Sequence, residues 1–279
     1  MATRIAYLGP AGTFTEEAAL LHNPEATLEP LPSIQRVGLA AASGVAQEGV
    51  VPIENSLEGS VNDTLDILVR QDGLSIRREL VLPIEHCLLM MPGSNSADIQ
   101  VIYSHPQALG QCREFLERCY PKAQLIASLS TAAAVGDVKK SKLPAAAIAS
   151  YRSAQHHGVE VITRGIQDNS SNVTRFVVLA PTDHPPTGAD KTSLCFAFAE
   201  DKPGLLHTIL GELVKQRLNL VKVESRPSRQ SLGDYIFLID INGHREDPPV
   251  KEAIQALRQQ TAMLKIFGSY PQWTPKANP

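Results

Sequence analysis

The chain has 279 residues, of which 43% are hydrophobic, 20% charged and 5% aromatic, with 18 glycines, 20 prolines and a net charge of −3. That length fits two domains of ordinary size, and the composition excludes a collagen, a coiled coil and a disordered chain. The slightly acidic balance and the few aromatics exclude the basic footprint and stacking platforms of a nucleic-acid binder.

Short apolar runs read as strands at residues 5–8, 50–53, 101–103, 125–127, 145–148, 159–162 and 176–179. Helical patterns fall between them at 16–22, 35–42, 64–70, 107–118 and 131–139. Such alternation predicts a mainly parallel sheet with helices on both faces. Residues 74–91 break the rhythm by setting two strand-like runs side by side, which predicts a crossing between two α/β lobes with a cleft. The most apolar part of that stretch is interrupted by Pro83, Glu85 and His86, so no segment is expected to span a bilayer. The opening segment carries no apolar signal core, and the expected location is the cytoplasm.

The run PTDHPPTG at 181–188 is dense in turn formers. It predicts a linker over 182–190 between a domain at 1–181 and a second at 191–279. The tail reads as strand 192–199, helix 203–215, strands 220–225 and 235–241 joined across the polar stretch 228–233, helix 249–261 and strand 263–270. That βαββαβ order is ferredoxin-like. It holds no catalytic constellation and reads as regulatory or dimerising. Cys87, Cys112, Cys119 and Cys195 form no CxxC pair and no zinc-like cluster with histidine. Cys112 and Cys119, seven apart on one expected helix, read as core thiols, and neither a metal nor a cofactor is expected.

Ligands of open α/β sheets gather beyond the carboxyl ends of strands, near helix N-termini. The strand–helix junctions here read GPAGTFT at 9–15, VPIENSLEGSV at 51–61, SHPQALGQC at 104–112, STAAA at 130–134 and NVTRF at 172–176. Thr13 and Glu16 have capping-box spacing, and Ser130 and Thr131 open an alanine-rich helix. Five junctions tipped with Ser, Thr, Asn or Gln would ring one cleft with neutral donors, which suits a small anion. Glu54 and His105 are the acid–base groups at hand. A P-loop, a GxGxxG turn and a GxSxG elbow are all lacking. Arg175 offers a bidentate fork for a carboxylate.

At these junctions the sequence resembles the prephenate dehydratases, and its tail resembles an ACT domain, with ESRP at 224–227 matching the family's regulatory signature. The resemblance implies an α/β fold: a bilobal catalytic domain of the periplasmic-binding-protein-like type II class, followed by a ferredoxin-like ACT domain. It implies that prephenate loses its ring carboxylate as carbon dioxide and its ring hydroxyl as water, giving phenylpyruvate for phenylalanine biosynthesis. By that similarity Thr174 assists the departing hydroxyl, with Arg175 beside it. Thr13, Thr15, Asn55, Ser56, Ser104, Gln107, Ser130, Thr131 and Asn172 line the substrate.

Phenylalanine, as effector, is expected between Gly204, Leu205 and Leu206 on one side and Glu224, Ser225, Arg226 and Pro227 on the other, near a subunit interface of a homodimer or dimer of dimers. The helix starts Gly-Leu-Leu where the family has Gly-Ala-Leu or Gly-Ser-Leu, so Leu205 alters the pocket's shape. No fused chorismate mutase is expected before Arg4. The alternatives are arogenate dehydration in the same site, a non-catalytic anion sensor, and a purely structural ACT unit.

Overall fold

The computed structural model of the chain describes residues 2–200, 202–228 and 235–274. In chain order the first elements are β1 (Arg4–Leu8), α1 (Phe14–His22), β2 (Thr27–Leu31), α2 (Ile34–Ala42), β3 (Glu48–Asn55), the two-residue β4 (Gly59–Ser60), α3 (Asn62–Arg70) and β5 (Ser75–Pro83). Then come β6 (Cys87–Met90), β7 (Val101–Ser104), α4 (Pro106–Gln111), α5 (Arg113–Cys119), β8 (Gln124–Ala127), α6 (Thr131–Lys140), β9 (Ala145–Ala149), α7 (Tyr151–His157), β10 (Glu160–Arg164) and β11 (Val173–Ala180). The tail adds β12 (Asp190–Ala197), α8 (Leu205–Lys215), β13 (Leu220–Pro227), β14 (Tyr235–Asn242), α9 (Pro248–Gln260) and β15 (Met263–Pro271).

Three sheets result. The first runs β2-β1-β3-β11-β5 with β4 paired to β3, and the second runs β10-β6-β9-β7-β8. In the second, β9, β7 and β8 are parallel, while β6 runs antiparallel to β9 and β10. Buried strands such as β9, all alanine and isoleucine, need no polar alternation because both faces are covered. The third sheet, β13-β14-β12-β15, is antiparallel throughout. With α8 and α9 packed on it around Leu194, Phe196, Ile209, Ile239 and Leu257, it is the ferredoxin-like unit that the βαββαβ order predicts. The polar connection expected over 228–233 lies, beyond Ser228, outside the described residues.

By packing the chain divides into two compact units: residues 1–37, 50–61 and 81–176, and residues 38–49, 62–80 and 177–279. The second unit thus joins the ferredoxin-like tail to α3 and most of β5. Its internal ties explain the grouping. The Lys191 ammonium lies 2.9 and 3.0 Å from the two buried Glu79 carboxylate oxygens, and Trp273 N–H donates to the same carboxylate. Lys265 Nζ donates to the carbonyls of Val69 and Gln71 at the end of α3, where a helix's free carbonyls favour a cation. Arg226 pairs with Asp66 on the same helix. Gly268, at φ +148°, lies so close to β5 that an added Cβ would meet Ile76 O at 2.2 Å.

The 182–190 stretch is pinned rather than loose. Asp183 accepts from Ser269 N–H and pairs with Arg245, and Asp190 accepts from Thr187 and Gly188. Of the two cysteines expected to share a helix face, Cys112 is buried but Cys119 is exposed. The helix between them breaks at Cys112, which ends α4 and begins α5, so the common face does not exist.

Candidate functional site

Within the first unit a cavity of about 290 Å³ is lined by Thr13, Phe14, Thr15, Pro52, Asn55, Ile84, His86, His105, Gln107, Ala108, Gln111, Leu129, Ser130, Thr131, Thr174 and Phe176. The lining mixes apolar walls with convergent polar tips, as small-molecule sites do. Among the described residues no Lys or Arg lines it. Positive potential comes instead from helix starts, since α1 and α6 open onto the cavity through Thr13–Thr15 and Ser130–Thr131.

Those caps are locally dictated. Thr13 Oγ1 accepts from Glu16 N–H and donates to Leu8 O, which occupies its hydroxyl in both directions. Glu16 reaches back to Gly12 N–H at 2.6 Å, one residue before the cap that a capping box would use. Ser130 Oγ accepts from Ala133 N–H at 3.0 Å and keeps its proton for the cavity. His105 Nδ1 accepts from Gln107 N–H, so a neutral His105 carries its proton on Nε2.

The centre of the site is an amide chain. Asn55 Oδ1 accepts from the N–H groups of Leu57 and Glu58 at 2.9 and 3.1 Å. Its Nδ2 is therefore turned the other way, donating to Thr174 Oγ1 at 2.9 Å and Asn172 Oδ1 at 2.8 Å. Asn172 Nδ2 donates to Gln111 Oε1 at 3.1 Å, and His86 Nε2 lies 2.9 Å from that same oxygen. Thr174 is 8% exposed and Asn172 1%. Burial pushes the His86 pKa down, opposed by its hydrogen bond to Gln111.

Seven of the expected residues meet at the cavity: Thr13, Thr15, Asn55, Gln107, Ser130, Thr131 and Thr174. Four do not line it. Ser104 is fully buried and donates to Ile148 O at 2.7 Å, bracing β7 against β9. Ser56 Oγ accepts from Val173 N–H at 3.0 Å, tying the β3–β4 turn to β11. Asn172 joins Asn55 to Gln111 through its amide. Arg175 turns its guanidinium to Glu54, Nη1 to Oε2 at 3.3 Å. The cause is strand alternation: β11 begins at Val173, three residues before the expected start, so Thr174 and Phe176 share one face and Arg175 takes the other. The acting pair expected from sequence, Thr174 with Arg175, is thereby split.

Gln111, His86, Phe14 and Leu129 are lining residues that the junction reading passed over. Gln111 falls inside the quoted 104–112 stretch, while His86 precedes β6 in a segment read only for its hydropathy.

In the tail, Gly204 caps α8 at φ +89°, a conformation that suits glycine. Glu224 pairs with Lys222 at 3.3 Å, and Arg226 is 8% exposed against Asp66. Ser225 and Pro227 are exposed on β13, and Leu205 and Leu206 are half-buried.

The model of the family described as prephenate dehydratase matches residues 5–184, and that of the ACT domain matches residues 193–259. A bifunctional chorismate mutase/prephenate dehydratase of Aquifex aeolicus is 41% identical over 271 residues, spanning 96% of this chain and 74% of the relative. A solved prephenate dehydratase of Arthrobacter aurescens, in complex with L-Phe, has a TM-score of 0.88 at 36% identity, covering 97% of this chain and 90% of that one. A structure described as a novel type of quorum quenching acylase reaches the same TM-score at 31% identity, covering 98% of each chain. On the family match over the whole cavity-bearing region, together with these relatives, the chain belongs to the prephenate dehydratase family.

Proposed function

We propose that the chain converts prephenate to phenylpyruvate in this cavity, with Thr174 as the group that assists loss of the ring hydroxyl. The observation that carries the reading is the hydrogen bond from Asn55 Nδ2 to Thr174 Oγ1. Because Thr174 already accepts there, its own proton is left to be donated to a ligand. In the reaction the bond from the ring to its carboxylate breaks and that electron pair enters the ring. The C–O bond opposite breaks as well, so carbon dioxide and hydroxide leave and the ring becomes aromatic. Thr174 donates to the oxygen as negative charge grows on it, which is stabilisation of the transition state rather than of bound substrate. The starts of α1 and α6, Gln107 and Gln111 receive the two carboxylates, while Phe14, Phe176 and Ile84 face the ring. Arg175 acts from behind the strand, fastening β11 to β3 through Glu54.

Acyl-amide hydrolysis is the second reading, on the acylase relative alone. It requires a base for a hydroxyl nucleophile. His105 accepts at Nδ1 from Gln107 N–H, and the unpaired His86 Nδ1 is buried. Neither imidazole is hydrogen-bonded to the Thr174 or Ser130 hydroxyl, which supports dehydration instead.

Residues 1–181 form the catalytic domain in this proposal and 191–279 the regulatory one, working in the cytoplasm as a homodimer or a dimer of dimers. Phenylalanine binds the tail around Gly204–Leu206 and Glu224–Pro227, in line with the L-Phe complex of the Arthrobacter relative. The experiment is a stopped assay with prephenate and, separately, arogenate, with and without phenylalanine, reading the product by ultraviolet absorbance and mass spectrometry. Phenylpyruvate from prephenate, suppressed by phenylalanine, is the expected result. Phenylalanine formed from arogenate alone moves the assignment to that substrate, and no turnover of either leaves a binding protein.

A further inference from the structure

The direction of the amide chain is forced from one end. Backbone N–H groups can only donate, so Leu57 and Glu58 fix Asn55 Oδ1 as the acceptor. Val173 O, which can only accept, confirms Nδ2 on the other side at 3.2 Å. Asn172 must then accept from Asn55 with Oδ1 and donate with Nδ2, which makes the facing Gln111 atom the oxygen. His86 Nε2 lies 2.9 Å from that oxygen and so carries the imidazole proton. Gln111 thus has two donors on its oxygen, and its NH2 group is left toward the cavity that it lines.

His86 is held for this task. The residue is 2% exposed, and its Nδ1 is buried with no partner among the described residues. The residue's N–H donates to Gln167 Oε1 at 3.0 Å, its carbonyl accepts from Ile166 N–H at 3.1 Å, and its ring stands edge-on to Phe14 at 5.9 Å. A bare, unpaired Nδ1 costs less in such a place than a buried imidazolium.

We propose that His86 is a positioning residue for the substrate: by donating from Nε2 to Gln111 Oε1 it commits the Gln111 amide to present N–H groups, never its oxygen, to an anionic ligand. The inference rests on the dianion reading above. Asn172 Nδ2 holds the Gln111 oxygen from one side, and the second donor, His86 Nε2, doubles the hydrogen bonds that would be lost if that oxygen turned toward a carboxylate. The effect belongs to substrate binding, since Gln111 meets the carboxylates and not the leaving hydroxyl.

Two measurements test it. In the full chain, His86→Met removes the donor at similar bulk and raises KM for prephenate about tenfold, with kcat within about threefold, as loss of one oriented hydrogen bond to a charged group demands. His86→Gln, which restores a donor near Nε2, recovers most of that loss. A KM unmoved by His86→Met, or a loss confined to kcat, overturns the proposal. Nitrogen NMR of the imidazole reads the tautomer directly, whether or not any variant folds. Near neutral pH the expected state is a protonated Nε2 with a bare Nδ1, and the opposite tautomer overturns the proposal. Absence of prephenate turnover in the unaltered chain would sink the reaction instead, leaving the tautomer to judge the clamp alone.

Discussion

Thr174 and Arg175 are adjacent in sequence, yet one faces the cavity and the other faces Glu54. Their substitutions therefore have different signatures. Thr174→Val keeps the shape and removes the hydroxyl proton assigned to the leaving group, so kcat falls by about 10²–10⁴-fold while KM changes little, the range a positioned proton donor supplies. Thr174→Ser restores most of the rate. Steady-state kinetics with prephenate decide the matter, and near-normal turnover of Thr174→Val would remove the assignment. Arg175→Met removes one partner of the partly buried Glu54 carboxylate, and its main expected cost is about 1–2 kcal/mol of stability. Adding Glu54→Gln recovers part of it. Thermal melts of the two singles and the double read this coupling. A rise in KM of about a hundredfold without a change in melting would place the guanidinium on the substrate instead.

Elements whose signals are local were legible, and those fixed by distant partners were not. The strands β1, β3, β7, β8 and β9 fall where the apolar runs put them. So does α6, whose Ser130 cap and Lys139–Lys140 end mark both termini. α7 carried equally good marks, Ser150 at its start and Gly158 at φ +64° at its end, but its polar, histidine-rich face hid it from a reading built on hydropathy. β2 escaped because Pro30 reads as a strand breaker, although an edge strand tolerates it.

The break between α4 and α5 had no local sign. It is made by Asp168, 54 residues beyond Glu114, whose carboxylate accepts Glu114 N–H at 3.2 and 3.3 Å and so caps α5 from another segment. Asp168 N–H also donates to Gln111 O at 2.7 Å, which anchors the end of α4. The cavity face of α4, and Gln111 with it, depends on that distant cap. Asp168→Ala is expected to cost about 1 kcal/mol, the usual worth of a cap. It is also expected to raise KM for prephenate, because the backbone under Gln111 loosens. Denaturant unfolding beside steady-state kinetics measures both, and a destabilised variant with an unchanged KM would separate the cap from the site.

At the scale of the whole molecule, buried titrating groups bound the pH range in which the fold is most stable. Burial holds the His86 pKa below its ordinary 6.5, opposed by the bond to Gln111, and burial with the neighbouring His156 and Lys139 lowers that of His157. Unfolded histidines take up protons as pH falls through about 6.5, whereas these two resist. Stability is therefore present above that value and is lost as pH drops toward their folded pKa values.

The alkaline side has the opposite sign. Burial raises Cys87 from 9.0 to about 11 and Cys112 and Cys195 from 9.0 to about 12, and burial with Glu16 raises Tyr7 from 10.0 to about 12. The unfolded chain releases these protons from pH 9 upward while the folded chain holds them, so their contribution is complete below the ordinary thiol value and is lost as pH rises through about 11 to 12. Melting temperature against pH should thus be a plateau from about 6.5 to 9 with a fall on each side. Because the acid limb belongs to histidines and, at lower pH, to the hydrogen-bonded Asp190, and the alkaline limb chiefly to thiols, one substitution separates them. Cys195→Ala lies in the ferredoxin-like sheet and should soften the alkaline fall while leaving the acid one unchanged. An alkaline limb as steep in that variant as in the unaltered chain would mean that Cys195 does not contribute to it.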